Sequence, residues 1–100
     1  MSYDYDGELI VTYEVSVWCN KKMVLHLGLG YSSVARFVKI AEAGIPEAKK
    51  IEKLWENNYN VTITGEGLTA FLRKHYPELE EKLSVIDPKE EYLLDCYDMS

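Results

Sequence analysis

Apolar and polar residues alternate over two neighbouring segments in the first third of the chain. The apolar positions are, in order, Leu9, Val11, Tyr13, Val15 and Val17, then Met23, Leu25, Leu27 and Leu29. A period of two is typical of half-buried β-strands, so the two segments predict a β-hairpin. Paired residues of a hairpin share a face, and matching the two apolar sets requires a three-residue or bulged turn around Asn20.

The intervening positions of the first strand form a second, mixed set. Its members are Ile10, Thr12, Glu14, Ser16 and Trp18. In a sheet with one buried face, such a set lies on the opposite face. This set is polar enough to meet either water or a partner.

Two helices are predicted between the hairpin and a third strand. Ser32 or Ser33 is placed to cap the first helix, Gly44 is placed to end it, and Pro46 is placed to open the second. The inner faces of the two helices are Val34, Phe37, Val38 and Ala41, followed by Ala48, Ile51, Leu54 and Trp55. Both sets recur every three or four residues, as the buried stripe of a helix does.

A third strand and two more helices are predicted in the remainder of the chain. Residues 59–64 alternate between apolar and polar side chains, which indicates a strand. The helix that follows should kink or restart at Pro77. Asp87 begins an Asp-Pro-Lys-Glu sequence that resembles a capping box, and it predicts a short last helix through about Tyr97.

This order of elements, β-β-α-α-β-α-α, predicts an α+β fold in which a three-stranded antiparallel sheet carries helices packed on one face. The third strand could pair with either strand of the hairpin. The length of 100 residues fits a single domain, and we expect residues 1–7 and 98–100 to fray. A three-stranded sheet has exposed edges, so a homodimer formed through a sheet edge is a further expectation.

Composition is typical of a globular protein. Hydrophobic residues make up 47% of the chain and charged residues 28%, which argues against disorder. Apolar runs such as Met23–Leu25 are far too short to span a membrane. The start of the chain is acidic, whereas a secretory signal starts with basic residues. We therefore expect a cytoplasmic protein that does not engage membranes.

Cysteine and histidine are too scattered to predict catalysis or metal binding. Cys19 and Cys96 form no CxxC pair, so we expect both to be reduced, with a disulfide between them as the alternative. Zinc sites normally contain local ligand pairs, and His26 and His75 supply none. A nucleophilic pair of Cys19 and His26 would lack a third group to orient it. The sequence therefore predicts no enzyme activity, no metal and no cofactor.

Glycines lead from the second strand into the first predicted helix. The loop and helix start contain Gly28, Gly30, Ser32 and Ser33. Helix N-termini attract anions, so these residues are a candidate anion or nucleotide site. The third glycine of a dinucleotide-binding fingerprint is missing, and a strand exit and a helix cap explain the same residues. Anion binding is therefore the second alternative function.

The net charge of −6 is unevenly distributed, with a basic middle and two acidic ends. The basic residues that would share a surface are Arg36, Lys39, Lys49, Lys50 and Lys53. Such a patch is suited to phosphates, so the first alternative function is a small nucleic-acid-binding regulator that uses the helix around Lys49–Lys53. Nucleic-acid-binding domains of this size are usually basic as a whole, whereas this chain is acidic.

Eight tyrosines are present, and several stand beside acidic residues at the two ends of the chain. Tyrosine offers a large contact area at low entropic cost and is enriched in protein interfaces. The candidate partner-binding residues are Tyr3, Asp4, Tyr5, Asp6, Tyr92, Asp95, Tyr97 and Asp98. The leading hypothesis is a small, acidic, non-enzymatic module that binds the basic surface of a partner protein.

In general character, being small, acidic, rich in tyrosine and without a catalytic motif, the chain resembles inhibitors and accessory proteins of phages and mobile elements. Such proteins often act by covering a nucleic-acid-binding surface of a host protein, including defence nucleases. The resemblance therefore implies an anti-defence inhibitor whose target is a basic, nucleic-acid-binding surface.

Overall fold

The computed structural model describes residues 13–98 of the chain. Five strands and three helices follow one another in this region: β1 (Tyr13–Cys19), β2 (Lys22–Leu29), α1 (Tyr31–Ala43), β3 (Ala48–Trp55), β4 (Asn58–Thr64), α2 (Gly65–His75), a 3-10 helix (Pro77–Val85) and β5 (Glu91–Asp98). All neighbouring strands are antiparallel, and their order across the sheet is β2-β1-β5-β4-β3. The predicted three-stranded sheet is therefore wrong, because two of the four predicted helices are strands.

β3 was predicted as a helix because its apolar residues have helical spacing. β3 lies at the edge of the sheet, and Ile51, Leu54 and Trp55 remain 38%, 56% and 70% exposed. Since this strand contributes little to the core, burial imposes no alternation on its sequence. The helix-like spacing of its apolar residues therefore carried no structural information.

β5 was predicted as a helix because Asp87 and the proline after it were interpreted as a helix start. The same residues instead form a turn, in which the Lys89 N–H donates to Asp87 Oδ1 (2.9 Å) and the Glu90 N–H donates to Asp87 O (3.1 Å). Aspartate is favoured in such turns as well as at helix caps. The strand that follows does alternate, with Tyr92, Leu94 and Cys96 buried.

The turn before β5 packs tightly against the start of α2. The Gly65 N–H donates to Glu90 O at 2.8 Å, and a Cβ at Gly65 would lie 1.8 Å from Asp87 O. Only glycine allows this approach of two backbone segments. Thr64, the residue before α2, caps the helix by accepting a hydrogen bond from the Gly67 N–H.

The β1–β2 hairpin shows the predicted register over only a short stretch. Its loop has two residues, Asn20 and Lys21, with φ of 52° and 67°, so a three-residue loop is wrong. Val24 falls out of the ladder as an extra residue, which places Val17 opposite Leu25. The predicted pairing of odd with odd positions therefore holds only at Val17 and Leu25, because a second register shift follows and Met23 and Leu29 lie opposite Trp18 and Glu14.

The core lies between one face of the sheet and the two α-helices. α1 packs on β1, β2 and β5, while α2 packs on β4 and β5. Phe37 of α1 meets Phe71 of α2 edge-on, with 6.2 Å between ring centroids. Between residues 13 and 98, no helix has both the length and the apolar character needed to cross a membrane.

The ends of the helices were predicted with mixed success. α1 begins after Gly30 without a side-chain cap, and the Ser33 hydroxyl donates to Leu29 O instead, so the predicted serine cap is wrong. Gly44 ends α1 with a φ of 102°, as predicted. The helix after β4 stops at His75 and restarts as the 3-10 helix at Pro77, which confirms the predicted interruption.

Candidate functional site

The face of the sheet turned away from α1 and α2, here named the polar face, carries side chains from all five strands. Opposite residues of antiparallel strands share a face, so the register groups these side chains into rows. One row is His26, Ser16, Asp95, Asn60 and Glu52, and the next contains Trp18, Leu93, Thr62 and Lys50. The polar face is therefore a mixed surface with acidic residues at its centre.

Glu14 is held on the polar face by two neighbours. One carboxylate oxygen, Oε1, lies 2.8 Å from His26 Nδ1, and the other, Oε2, accepts a hydrogen bond from the Tyr97 hydroxyl at 2.9 Å. Glu14 is buried, so both contacts offset the desolvation of its carboxylate. Desolvation and the bond to Glu14 raise the pKa of Tyr97 to about 12, so its phenol remains a donor at neutral pH.

Asp95 is placed less favourably than Glu14. Asp95 is half-buried. When the side-chain amide of Asn60 is oriented so that its nitrogen faces the neighbouring acceptors, it donates to Asp95 Oδ1 at 3.2 Å. Desolvation and the nearby Glu14 carboxylate raise the pKa of Asp95. None of the ion pairs between described residues includes Asp95. Its negative charge is thus partly desolvated, and no cation among residues 13–98 forms an ion pair with it.

Trp18 lies one row away from Asp95. Its indole N–H donates to the buried Ser16 hydroxyl at 2.9 Å, which fixes the ring on the polar face. Beside the ring is an open depression of about 430 Å³. The depression is lined by Trp18, Asn20, Lys21, Thr62, Glu90, Glu91, Tyr92, Leu93 and Asp95. It combines aromatic area with carboxylates, which is the chemistry that binds cationic side chains.

The predicted partner-binding residues are not all on this surface. Tyr3, Asp4, Tyr5 and Asp6 lie outside the described residues, while Asp95 and Tyr97 lie together on the polar face. Tyr92 faces the opposite way and is buried, with its hydroxyl accepting from the Asp87 N–H at 2.8 Å. Asp98 is the last residue of β5, and its carboxylate accepts from Asn57 Nδ2 at 3.2 Å.

The remaining members of the site come from positions that sequence reasoning noticed but did not assign. Glu14, Ser16 and Trp18 belong to the mixed set of β1, for which a partner was only one option. His26 was considered only as a ligand or a base. These residues share one sequence signal, because they occupy the positions of β1 and β2 that alternate with the core residues. They could be recognised as a site only once β5 was known to lie between β1 and β4.

The predicted basic patch is divided between two elements. Arg36 and Lys39 lie on α1, whereas Lys49, Lys50 and Lys53 lie on β3, which is a strand and not the predicted helix. Three of these charges are paired within the chain. The pairs are Arg36–Glu78 at 2.6 Å, Lys49–Glu91 at 2.7 Å and Lys50–Glu52 at 3.8 Å. Such pairing leaves less positive charge for a nucleic acid than the sequence suggests.

The glycine–serine loop is explained by packing. A Cβ at Gly28 would lie 2.2 Å from Ser33 Oγ, so Gly28 lets α1 start close to β2. Gly30 has a φ of 96°, a conformation that favours glycine. Ser32 is exposed and Ser33 is bonded to the backbone. The loop therefore has structural reasons for each glycine and for Ser33.

The two cysteines are free. Cys96 lies opposite Val15, four residues along β1 from Cys19, a separation of about 13 Å that no disulfide spans. Burial raises the pKa of Cys96 to about 12, and desolvation together with Glu90 and Asp87 raises the pKa of Cys19. Both thiols therefore stay protonated and are poor nucleophiles. Among the described residues, no cluster of His, Cys, Asp and Glu is arranged to hold a metal.

Comparison of the chain with protein-family models, with curated proteins and with solved structures gave no match. We therefore infer function from the geometry and charge of residues 13–98.

Proposed function

We propose that this protein is a non-enzymatic binding module that docks the polar face of its sheet on a basic surface of a partner protein. The observation that carries the proposal is the uncompensated carboxylate of Asp95. A charge that is partly desolvated without a cation disfavours the free protein. A lysine or arginine supplied by a partner would remove that disadvantage on binding.

The side chains around Asp95 support a protein partner. Trp18, Leu93 and Tyr97 are each partly exposed, and they provide apolar and aromatic area beside the charge. Protein interfaces are enriched in tyrosine, tryptophan and arginine. An arginine could stack on an aromatic ring while its guanidinium meets a carboxylate. Nucleic acid is a poor fit to the same surface, because phosphates would face Glu14 and Asp95.

The proposed docking has a consequence for partners that bind nucleic acid. A basic surface that normally contacts phosphates would be blocked by the polar face, and the protein would then act as an inhibitor. This is the mode of action implied by the general resemblance to inhibitors of phages and mobile elements. The two free thiols are compatible with the reducing cytoplasm, which we propose as the compartment.

The test is an NMR titration of the isotope-labelled protein with a short synthetic arginine-rich peptide at low salt. We expect shifts of the Trp18 indole and of the Asp95 and Tyr97 amides, and no comparable shifts in the acidic 3-10 helix. A glutamate-rich peptide of equal length should leave all these signals in place. Raising the salt concentration should weaken the binding, because charge attraction between exposed groups is screened.

Matched variants separate this site from non-specific attraction to an acidic protein. Asp95→Asn should weaken peptide binding about fivefold, as expected for a partly buried charge pair worth about 1 kcal/mol. Glu81→Gln removes the same charge from an exposed position on the 3-10 helix and should change the affinity less than about twofold. Equal weakening by the two variants would show that only net charge matters, and the proposal would fail.

A further inference from the structure

β3 is an exposed edge strand whose outer side has no neighbouring strand among residues 13–98. Every residue from Lys49 to Trp55 is exposed, including the apolar Ile51, Leu54 and Trp55. An edge of this kind presents unpaired backbone N–H and C=O groups, which can extend the sheet into another chain. Natural proteins usually protect such edges against pairing. The stretch of an edge strand that keeps a regular register is therefore the stretch with which another strand can pair.

Both edge strands contain two register shifts, but they differ in how many regular pairs lie between the shifts, two in β2 and four in β3. In β2, both Val24 and Leu27 fall out of the ladder with β1, and the 3-10 helix packs beside the strand. In β3, the register is regular from Lys50 to Lys53, with shifts only on either side of this run. Bulges distort an edge and discourage pairing. β3 is therefore the edge that is available, over the run from Lys50 to Lys53.

We propose that two copies of this protein pair through β3, antiparallel and around a twofold axis at Ile51. The product is one continuous sheet in which the two β3 strands are central neighbours. This surface is separate from the polar-face centre at Asp95, so the proposal does not depend on the proposed function.

Symmetry restricts the register of such a pair. In a continuous antiparallel sheet, opposite residues share a face, so a twofold axis must pass through a residue paired with its own copy. An axis at Lys50 or Lys53 would place two lysines opposite each other, and an axis at Glu52 would pair two glutamates. Like charges directly opposite are destabilising. Within the regular run, Ile51 is the one position that places an apolar residue on the axis.

The Ile51 register also makes the neighbouring charges complementary. Lys50 then lies opposite the partner's Glu52, and Glu52 lies opposite the partner's Lys50. Within one chain Lys50 Nζ is already 3.8 Å from Glu52 Oε1, so the four charges would alternate in sign around the axis on the polar side of the sheet. Opposite charges across a strand pair stabilise it.

The next residues outward do not oppose this register. Lys53 would lie opposite the partner's Lys49, but the Lys49 side chain is drawn away to Glu91, with 2.7 Å between Nζ and Oε2. Lys53 Nζ lies 5.9 Å from the centroid of the Tyr59 ring. Lys49 thus has a carboxylate partner of its own, so the Lys50–Glu52 pairs dominate the electrostatics of the interface.

The test is a charge exchange measured by sedimentation velocity over a range of concentrations. The wild-type protein should move from monomer towards dimer as its concentration rises. Lys50→Glu and Glu52→Lys each place like charges opposite one another twice, so each should weaken self-association about tenfold or more. An equimolar mixture of the two variants should dimerise again, to within about threefold of wild type, because their charges are complementary in this register.

Lys53→Glu is the matched control, because it is the same charge reversal on the same strand outside the reciprocal pair. It should leave the dimer intact or strengthen it, since it faces the partner's Lys49. Thermal melts of all variants should stay close to wild type, because these side chains are exposed. A wild-type protein that stays monomeric, a dimer insensitive to Lys50→Glu, or a mixture without recovery would each overturn the proposal.

Discussion

Asp95 links the stability of the free protein to its proposed binding role. Its pKa is raised in the folded state by desolvation and by Glu14, so the folded protein holds the proton more tightly than the unfolded chain does. Stability therefore falls as pH rises through the interval between the unfolded and folded pKa values, and above that interval the full penalty of the charge is present. At neutral pH the free protein is thus less stable than it would be with a neutral residue at this position.

We expect Asp95→Asn to raise the melting temperature at pH 7. The amide removes the desolvated charge and keeps a polar group beside Asn60. The gain should disappear below about pH 3, where the wild-type carboxyl is itself protonated. Thermal melts followed by circular dichroism between these pH values would measure the difference.

The control for this stability effect is Glu56→Gln, which removes an equal charge from an exposed turn. It should leave the melting temperature nearly unchanged at both pH values. If Asp95→Asn lowered the melting temperature at pH 7, the carboxylate would be stabilising the fold, and the inference that its charge destabilises the free protein would be wrong. A variant that is more stable but binds the arginine-rich peptide less well would show the usual conflict between stability and function.

Among the elements, α1 is tied to the junction between α2 and the 3-10 helix by Arg36. Its guanidinium lies 4.1 Å from the centroid of the Tyr76 ring, bonds Glu78 and also donates to the carbonyl of His75. Lysine has no planar guanidinium, so it cannot stack on the Tyr76 ring and donate to Glu78 and His75 at the same time. We expect Arg36→Lys to lower the free energy of unfolding by about 1 kcal/mol in a urea titration.

Arg73→Lys is the comparison for this tether. Arg73 is bonded to Glu80 at 3.3 Å on an exposed surface, so its replacement by lysine should cost less than about 0.5 kcal/mol. Equal costs for the two variants would mean that the stacking and the backbone contact of Arg36 contribute nothing measurable.

The elements that sequence reasoning identified correctly are those whose pattern the core imposes. β2 and β4 bury alternate apolar residues, β1 alternates its core residues Val15 and Val17 with polar ones, and α1 and α2 bury one stripe, so their apolar spacing reports their conformation. β3 buries almost none of its side chains, and the helix-like spacing of its apolar residues led to the wrong prediction of a helix. β5 did alternate, but the Asp-Pro sequence at residues 87–88 is compatible with both a turn and a helix start, and the contacts that decide between them come from Gly65, far away in the sequence.

The candidate site was predictable only in part, because local patterns do not specify which strands become neighbours in the sheet. The alternation of β1 indicated that Glu14, Ser16 and Trp18 share a face. Their meeting with Asp95 and Tyr97 depends on β5 entering the centre of the sheet, which no local pattern specifies. Sequence reasoning listed Asp95 and Tyr97 with the acidic chain end, and it included Tyr92 because this tyrosine also stands beside acidic residues. In β5 the alternation of the strand turns Tyr92 to the core face.

At the scale of the molecule, β5 joins two hairpins whose strands do not otherwise pair with each other between residues 13 and 98. It pairs with β1 on one side and with β4 on the other, so β1–β2 and β3–β4 belong to one sheet only through it. Because β5 comes last in the described chain, the sheet is completed by contacts between distant residues. Unfolding should therefore be cooperative across both hairpins, with the middle of β5 as its most sensitive position.

Leu94 tests this coupling, because it is fully buried between Val17 of β1 and Val61 of β4. We expect Leu94→Ala to lower the free energy of unfolding by about 3 kcal/mol, through lost burial and the cavity left behind. Leu54→Ala, at a 56% exposed position on β3, should change it by less than about 0.5 kcal/mol. Backbone NMR signals of the two hairpins, followed through a urea titration, should disappear together in both variants and in wild type. If the signals of one hairpin persisted after those of the other were lost, β5 would not couple them, and the sheet would consist of two independently stable parts.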